Sequence, residues 1–155
     1  MTILEFQASE LLAYWENRCV GDQVITKWAD ERIAELDAVD LPNWLMELSM
    51  KGPAKYLKEV DSGDPRPLNL GFGDLFAPMV ETTDPDDHLS LLRFTRWIMC
   101  ACMGEDLDDP RVALGYQIDH EWCDNRNESG AMAMAREAIA KLRCDRAPIA
   151  QILEH

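Results

Sequence analysis

Apolar side chains recur at intervals of three and four residues along most of the chain, the spacing that places them on one face of an α-helix. Behind Thr2-x-x-Glu5, a capping-box pattern, the stripe from Leu4 to Cys19 predicts a helix over residues 3–18. The same spacing predicts a helix at 24–36, short ones near 42–48 and 54–60, a central apolar helix at 89–103, one from Asp109-Pro110 to about residue 124, and a last one from Ser129 through Leu142, with a terminal turn beginning at Pro148.

Between Asp61 and Asp84 this spacing is interrupted, and prolines and glycines become frequent. The segment still contains apolar side chains, such as Leu68 and Val80, too many for a disordered linker. We therefore predict one long, ordered Pro/Gly-rich loop, with a single helical turn at residues 74–77.

Strand signals are weak, because apolar and polar residues alternate only over 68–72 and a lone strand cannot satisfy its edges. A length of 155 residues is typical of one domain, and 47% hydrophobic residues are enough for one core. The expected fold is all-α: a compact irregular bundle of six or seven helices, forming a single acidic domain over residues 1–155.

The net charge of −14 argues against general binding to nucleic acids or anionic membranes, whose phosphates would repel the protein. Residues 61–125 hold most of the excess, with 14 acidic and four basic side chains. The most apolar stretch is interrupted by Arg93 and Arg96, so no membrane span is expected. The first residues lack the pattern of a secretion signal, and the five cysteines lack C-x-x-C spacing. We expect a cytoplasmic protein with reduced thiols.

Motifs for catalysis, nucleotide binding or calcium binding are missing from the sequence, so no catalytic residue, cofactor or metal ligand is assigned. One pair has ligand chemistry: His120 and Cys123, three residues apart, could present nitrogen and sulfur to one metal ion. The same spacing places both on an apolar stripe with Val112 and Tyr116, which is typical of a core-facing helix. A metal-binding domain or metal-dependent enzyme centred on this pair stays an alternative.

Acidic residues cluster at the two opposite ends of the predicted central helix. Such carboxylates either keep a small domain soluble and cap its helices, or attract a positively charged partner that nearby apolar side chains then hold by excluding water. Under the second interpretation the partner-binding residues are Phe72, Leu75, Phe76, Asp84, Asp86, Asp87, Glu105, Asp106, Asp108 and Asp109.

Small, acidic, helical chains without catalytic signatures resemble, as a class, bacterial immunity proteins and antitoxins, which inhibit basic toxins, often nucleases. This resemblance implies a protein-binding inhibitor with a basic protein partner such as a toxin. From the negative net charge we expect no direct contact with nucleic acid or membrane. A third hypothesis is a structural subunit that forms a homo-oligomer through the apolar loop or through a methionine-rich helix with Met132 and Met134.

Overall fold

The structure is a computed structural model, and it describes residues 1–143. Every regular element in that range is helical, which confirms the all-α prediction, and none of its helices is long and apolar enough to cross a membrane. The described chain divides into two compact units, Met1–Leu70 and residues 71–143. A single domain therefore stays a prediction. The predicted terminal turn at Pro148 and the thiol of Cys144 lie outside the described residues.

The first unit begins as its capping box predicts. The Thr2 hydroxyl accepts a hydrogen bond from the Glu5 amide at 3.1 Å, and the Glu5 carboxylate accepts one from the Thr2 amide at 2.7 Å. Its core contains Leu12, Ile25 and Trp28, all buried. The elements are α1 (Ile3–Glu16), α2 (Asp22–Glu35), a 3-10 turn (Ala38–Asp40), α3 (Asn43–Lys51) and α4 (Pro53–Glu59).

The second unit is organised around its most apolar helix, which contacts three other helices of the unit. Leu91, Phe94 and Ile98 of that helix are fully buried. The elements are α5 (Phe72–Thr82), α6 (His88–Ala101), α7 (Pro110–Asp119), a π-helical turn (His120–Asp124) and α8 (Glu128–Leu142). The described residues thus contain eight α-helices, where six or seven were expected.

The additional helix is α5, which replaces half of the predicted Pro/Gly-rich loop. Its buried side chains lie at helical spacing: Phe72, Leu75, Phe76, Met79 and Val80. The Asp74 carboxylate accepts a hydrogen bond from the Gly71 amide at 3.1 Å, which closes the first turn. The prediction of a long loop was wrong because one face of apolar contacts outweighs the cost of a proline in mid-helix. Within the predicted loop, irregular backbone remains at residues 61–71 and 83–84.

Arginines from neighbouring helices hold the backbone where α5 ends. The last carbonyls of a helix have no partner inside it and need outside donors. Arg143, just after α8, donates to the carbonyls of Val80 at 3.3 Å and Glu81 at 3.2 Å, and also to that of Thr83. Arg93 of α6 donates to the Thr82 carbonyl at 3.3 Å. These bonds connect α5 to both α6 and α8.

Gly115 allows α7 to approach α6 closely. A Cβ atom at this position would stand 2.6 Å from the Cys102 sulfur and 3.0 Å from the Ile98 carbonyl oxygen. Real Cβ atoms almost never come as close as 2.6 Å, and Cys102 is fully buried, so its sulfur has little room to move. The glycine is therefore required by packing, not by its backbone conformation.

We expect Gly115→Ala to lower the free energy of unfolding by up to about 2 kcal/mol, because the steric cost of about 1–3 kcal/mol outweighs the helix-propensity gain of about 1 kcal/mol. Urea denaturation measures the change. Gly73→Ala is the matched control, since its nearest contact is the end of the flexible Arg111 side chain at 3.4 Å. This control should be neutral or stabilising. Equal stability of the two variants would show that α6 and α7 are less closely packed.

Candidate functional site

The predicted acidic residues form two separate segments at the ends of α6. The N-terminal acidic turn contains Asp84, Asp86 and Asp87, and the acidic connection is residues 105–109, between α6 and α7. Because α6 has 14 residues, it is about 21 Å long. The two segments therefore do not merge into one patch, and each has to be judged by its own surroundings.

The N-terminal acidic turn uses its side chains to shape the start of α6. Asp87 caps the helix by accepting a hydrogen bond from the Ser90 amide at 3.3 Å, and Asp84 accepts one from the Asp86 amide at 2.9 Å. All three carboxylates remain exposed. Positive charge is close, because Arg136 donates to the Pro85 carbonyl at 3.1 Å within this same turn. The guanidinium weakens the negative potential here.

The acidic connection is a fixed segment rather than a free loop. Two hydrogen-bonded turns follow one another: the Glu105 amide donates to the Cys102 carbonyl and the Asp109 amide to the Asp106 carbonyl, both at 3.1 Å. Gly104 has a φ of +79°, a conformation that favours glycine. Its amide donates to the Tyr116 hydroxyl at 3.3 Å, so α7 folds back towards this segment.

Asp109 differs from the other acidic residues of the connection because it is paired within the chain. Its carboxylate caps α7 by accepting the Arg111 amide at 2.9 Å, and an ion pair of 2.7 Å joins it to the Arg111 guanidinium. The hydrogen bonds from that guanidinium hold the pKa of Asp109 below its ordinary value. The guanidinium also lies 5.6 Å from the centre of the Phe76 ring. Asp109 therefore serves the fold and is not a free partner-binding carboxylate.

The three apolar residues predicted to bind a partner are buried. Phe72 stacks on the Trp97 ring at 5.6 Å, and its ring centre lies 5.7 Å from that of Phe76. Leu75 is only 5% exposed. The expectation of an apolar loop surface was wrong because these side chains form the inner face of α5. Met132 is buried as well, so neither the apolar segment nor this methionine offers the exposed surface that the oligomer hypothesis assumed.

Two leucines outside the predicted set of partner-binding residues are exposed beside the acidic segments. Leu107 is 63% exposed within the acidic connection, and Leu89 is 72% exposed in the first turn of α6. The signal in the sequence was an apolar residue interrupting a run of carboxylates, as in Glu105-Asp106-Leu107-Asp108. Each acidic segment therefore combines negative charge with one apolar side chain that can be covered by a partner.

His120 and Cys123 do not face the core as their spacing suggested. Both are exposed in the π-helical turn. The buried residues of α7 are Val112, Gly115 and Ile118, and His120 does not lie on their stripe. His120 Nδ1 lies 2.6 Å from an Asp124 oxygen, and the Cys123 thiol donates to Asp119 at 3.5 Å. Partial loss of hydration, followed by the hydrogen bond to Asp119 and the charge of that carboxylate, raises the pKa of the Cys123 thiol. Within residues 1–143 no group of three His, Cys, Asp or Glu side chains could hold a metal ion.

The lowered pKa of Asp109 predicts a specific loss of stability in acid. A carboxyl group whose pKa is depressed by folding stabilises the folded state above its ordinary value of 3.8, and this contribution disappears as pH falls through the folded pKa. We expect the stability difference between the wild type and Asp109→Asn to be largest near neutral pH and to shrink towards about pH 2. Asparagine still caps helices, so the cap itself is kept. Urea denaturation across this pH range measures the difference.

Arg111→Gln provides the control, because the Arg111 side chain is the main cause of the shift. In that background the effect of Asp109→Asn should vary less with pH. A difference between wild type and Asp109→Asn that stays constant from neutral pH to about pH 2 would contradict the ion pair as a source of stability.

The chain was also compared with protein-family models, with curated proteins and with solved structures. No family model, no curated protein and no solved structure matches it.

Proposed function

We propose that this protein is an acidic, stoichiometric inhibitor that binds a basic protein partner, in the manner of an immunity protein or antitoxin, and that the acidic connection is its main contact. The observation that carries the proposal is the combination of Glu105, Asp106 and Asp108 with exposed Leu107. None of these three carboxylates forms an ion pair within the part of the chain that the structure describes. Their charge is available to a partner.

The surroundings favour this segment over the N-terminal acidic turn. Arg136 and Arg143 both donate to backbone carbonyls at residues 80–85 and bring two positive charges to that region. At the acidic connection the neighbouring arginine is Arg111, and Asp109 already neutralises it. The remaining negative charge can attract a basic partner from a distance and so raise the association rate.

Leu107 supplies an apolar contact, which adds affinity that the carboxylates alone do not provide. Ion pairs at the edge of an interface contribute little affinity, because solvent screens them, whereas an apolar side chain that is fully covered contributes more. Leu107 stands in a segment that is already held by two turns, so little conformational entropy is lost on binding. A partner that covers it and places cations around it would gain both specificity and residence time.

The described geometry favours neither alternative function. The metal hypothesis finds no group of three possible ligands among residues 1–143. Of the side chains named for the oligomer hypothesis, those of the apolar segment and Met132 are buried, and Met134 is half-buried. The proposal includes a cytoplasmic location, which is supported by the free, exposed thiols of Cys100 and Cys123, since such thiols persist in reducing compartments.

The experiment is capture of partners from a native lysate with the wild type and two charge variants. The test variant carries Glu105→Gln, Asp106→Asn and Asp108→Asn. The control variant carries Asp37→Asn, Asp40→Asn and Asp61→Asn, three exposed acids of the first unit, so both variants change net charge equally. We expect the wild type and the control to retain one basic protein at equal stoichiometry, and the test variant to bind it at least about tenfold more weakly, mainly through a slower association rate.

Inhibition is then measured by adding the captured protein back to its own activity assay with each variant. The proposal predicts that inhibition follows binding and weakens as salt rises. Equal binding by the test variant, or a captured protein that is acidic, would overturn it.

A further inference from the structure

An open apolar groove runs between α7 and α8, next to the acidic connection. Its volume is about 610 Å³, and it begins at Pro110, two residues after Asp108. The main apolar side chains along it are Leu114 of α7 and Met134 and Leu142 of α8, each half-buried. These three side chains lie outside the core, whereas Ile118 of α7 and Ile139 of α8 are fully buried.

The residues that line the groove recur every three or four positions on each helix, so they form one continuous face that a third helix could pack against. On α7 they stand at positions 110, 113, 114 and 117, and on α8 at 134, 137, 138, 141 and 142. These are the positions that share one side of each helix, and two such sides form a channel into which an amphipathic helix fits. Ala113 and Ala138 are the small residues along it, which leaves room for larger side chains from outside.

The charges around the groove indicate which kind of helix would bind there. Exposed carboxylates stand beyond both ends of α7: Asp106 and Asp108 before it, and Asp124 after it. The charged residues within the groove cancel, because Lys141 pairs with Glu137 at 3.4 Å. An incoming helix therefore meets a neutral, apolar middle with negative charge at its two ends, which favours cations at both ends of an apolar face.

We propose that the groove between α7 and α8 docks an amphipathic helix of the basic partner, with apolar side chains in the groove and lysines or arginines beside Asp106 and Asp108 and beside Asp124. This inference rests on the proposed function and adds the structural element that the partner supplies. The bound helix would run along α7, so that one of its ends comes close to Leu107.

The test uses the full chain and a synthetic peptide of about 14 residues, about 21 Å long as a helix, with leucines on one face and lysines near both ends. A scrambled peptide of the same composition and a peptide with glutamates in place of the lysines are the peptide controls. Ala138→Phe fills the groove, and Ala133→Phe, an exposed position of α8 outside the groove, is its matched control. Titration calorimetry gives affinity and stoichiometry, and circular dichroism confirms that both variants are folded.

We expect one-to-one binding of the lysine peptide to the wild type and to Ala133→Phe, with at least about tenfold weaker binding to Ala138→Phe and to both control peptides. Equal binding by Ala138→Phe would overturn the groove proposal but leave the capture of basic partners standing. Equal binding of the glutamate peptide would overturn the assignment of charge. Absence of lysine-peptide binding would also overturn the groove proposal, and the lysate capture would still decide the proposed function.

Sedimentation of the protein without peptide tests whether the groove instead joins two copies of this chain. A wild-type dimer that Ala138→Phe abolishes and Ala133→Phe retains would make the groove an interface between two copies of this chain, and would overturn the proposal of a partner helix.

Discussion

The second unit depends on donors for the carbonyl groups at the end of α5. A helix end leaves carbonyls that need partners, and a buried carbonyl without one costs about 1–3 kcal/mol. Arg93 and Arg143 supply donors from two other helices, and Arg136 does the same for the Pro85 carbonyl that follows. The arginines therefore fix the position of α5 against its neighbours. Arg136 and Arg143 therefore bond to backbone oxygens rather than to the carboxylates of this acidic protein.

This use of arginine makes the two acidic segments unequal. At the N-terminal acidic turn the carboxylates share their surroundings with guanidiniums that the fold requires, so removing that positive charge would disrupt α5. At the acidic connection the neighbouring Arg111 is already paired with Asp109. Glu105, Asp106 and Asp108 form no ion pair within the described residues, although Asp106 also accepts a hydrogen bond from the Asp108 amide at 3.0 Å. Exposed charge beside an exposed leucine is a usual composition for a binding surface with a polar rim and a small apolar centre.

Local signals predicted much of the fold correctly. The caps at Thr2 and Asp109 and the apolar stripes of seven helices could be found because each depends on residues within one or two turns. Helix α5 was not predicted because Gly71, Gly73 and Pro78 are residues that usually interrupt helices. The apolar residues from Phe72 to Val80 nevertheless have helical spacing. Propensity is a weak preference that burial of one face overrides.

The site was less predictable, because burial is a property of the tertiary structure. Phe72 and Leu107 are both apolar residues in irregular or acidic sequence, and only packing decides that the first is covered and the second exposed. The exposure of His120 was hidden because the buried stripe of α7 runs through Val112, Gly115 and Ile118 rather than through Val112, Tyr116 and His120. The ion pair of Asp109 with Arg111 could not be predicted from the spacing either, because residues two apart on a regular helix point in different directions. Asp109 reaches Arg111 because it is the N-cap residue of α7 and lies outside the regular helix.

One helix links the two surfaces proposed for binding. The acidic connection ends at the cap of α7, and the groove is lined by the same helix from Pro110 onwards. Gly115 holds α7 against α6 at a distance that no larger residue allows, so α7 cannot shift without losing this contact. Leu107, the cap and the groove are therefore fixed relative to one another before any partner arrives. Because a fixed surface loses little entropy on binding, a partner helix of ordinary length and a few cations would be sufficient for tight association.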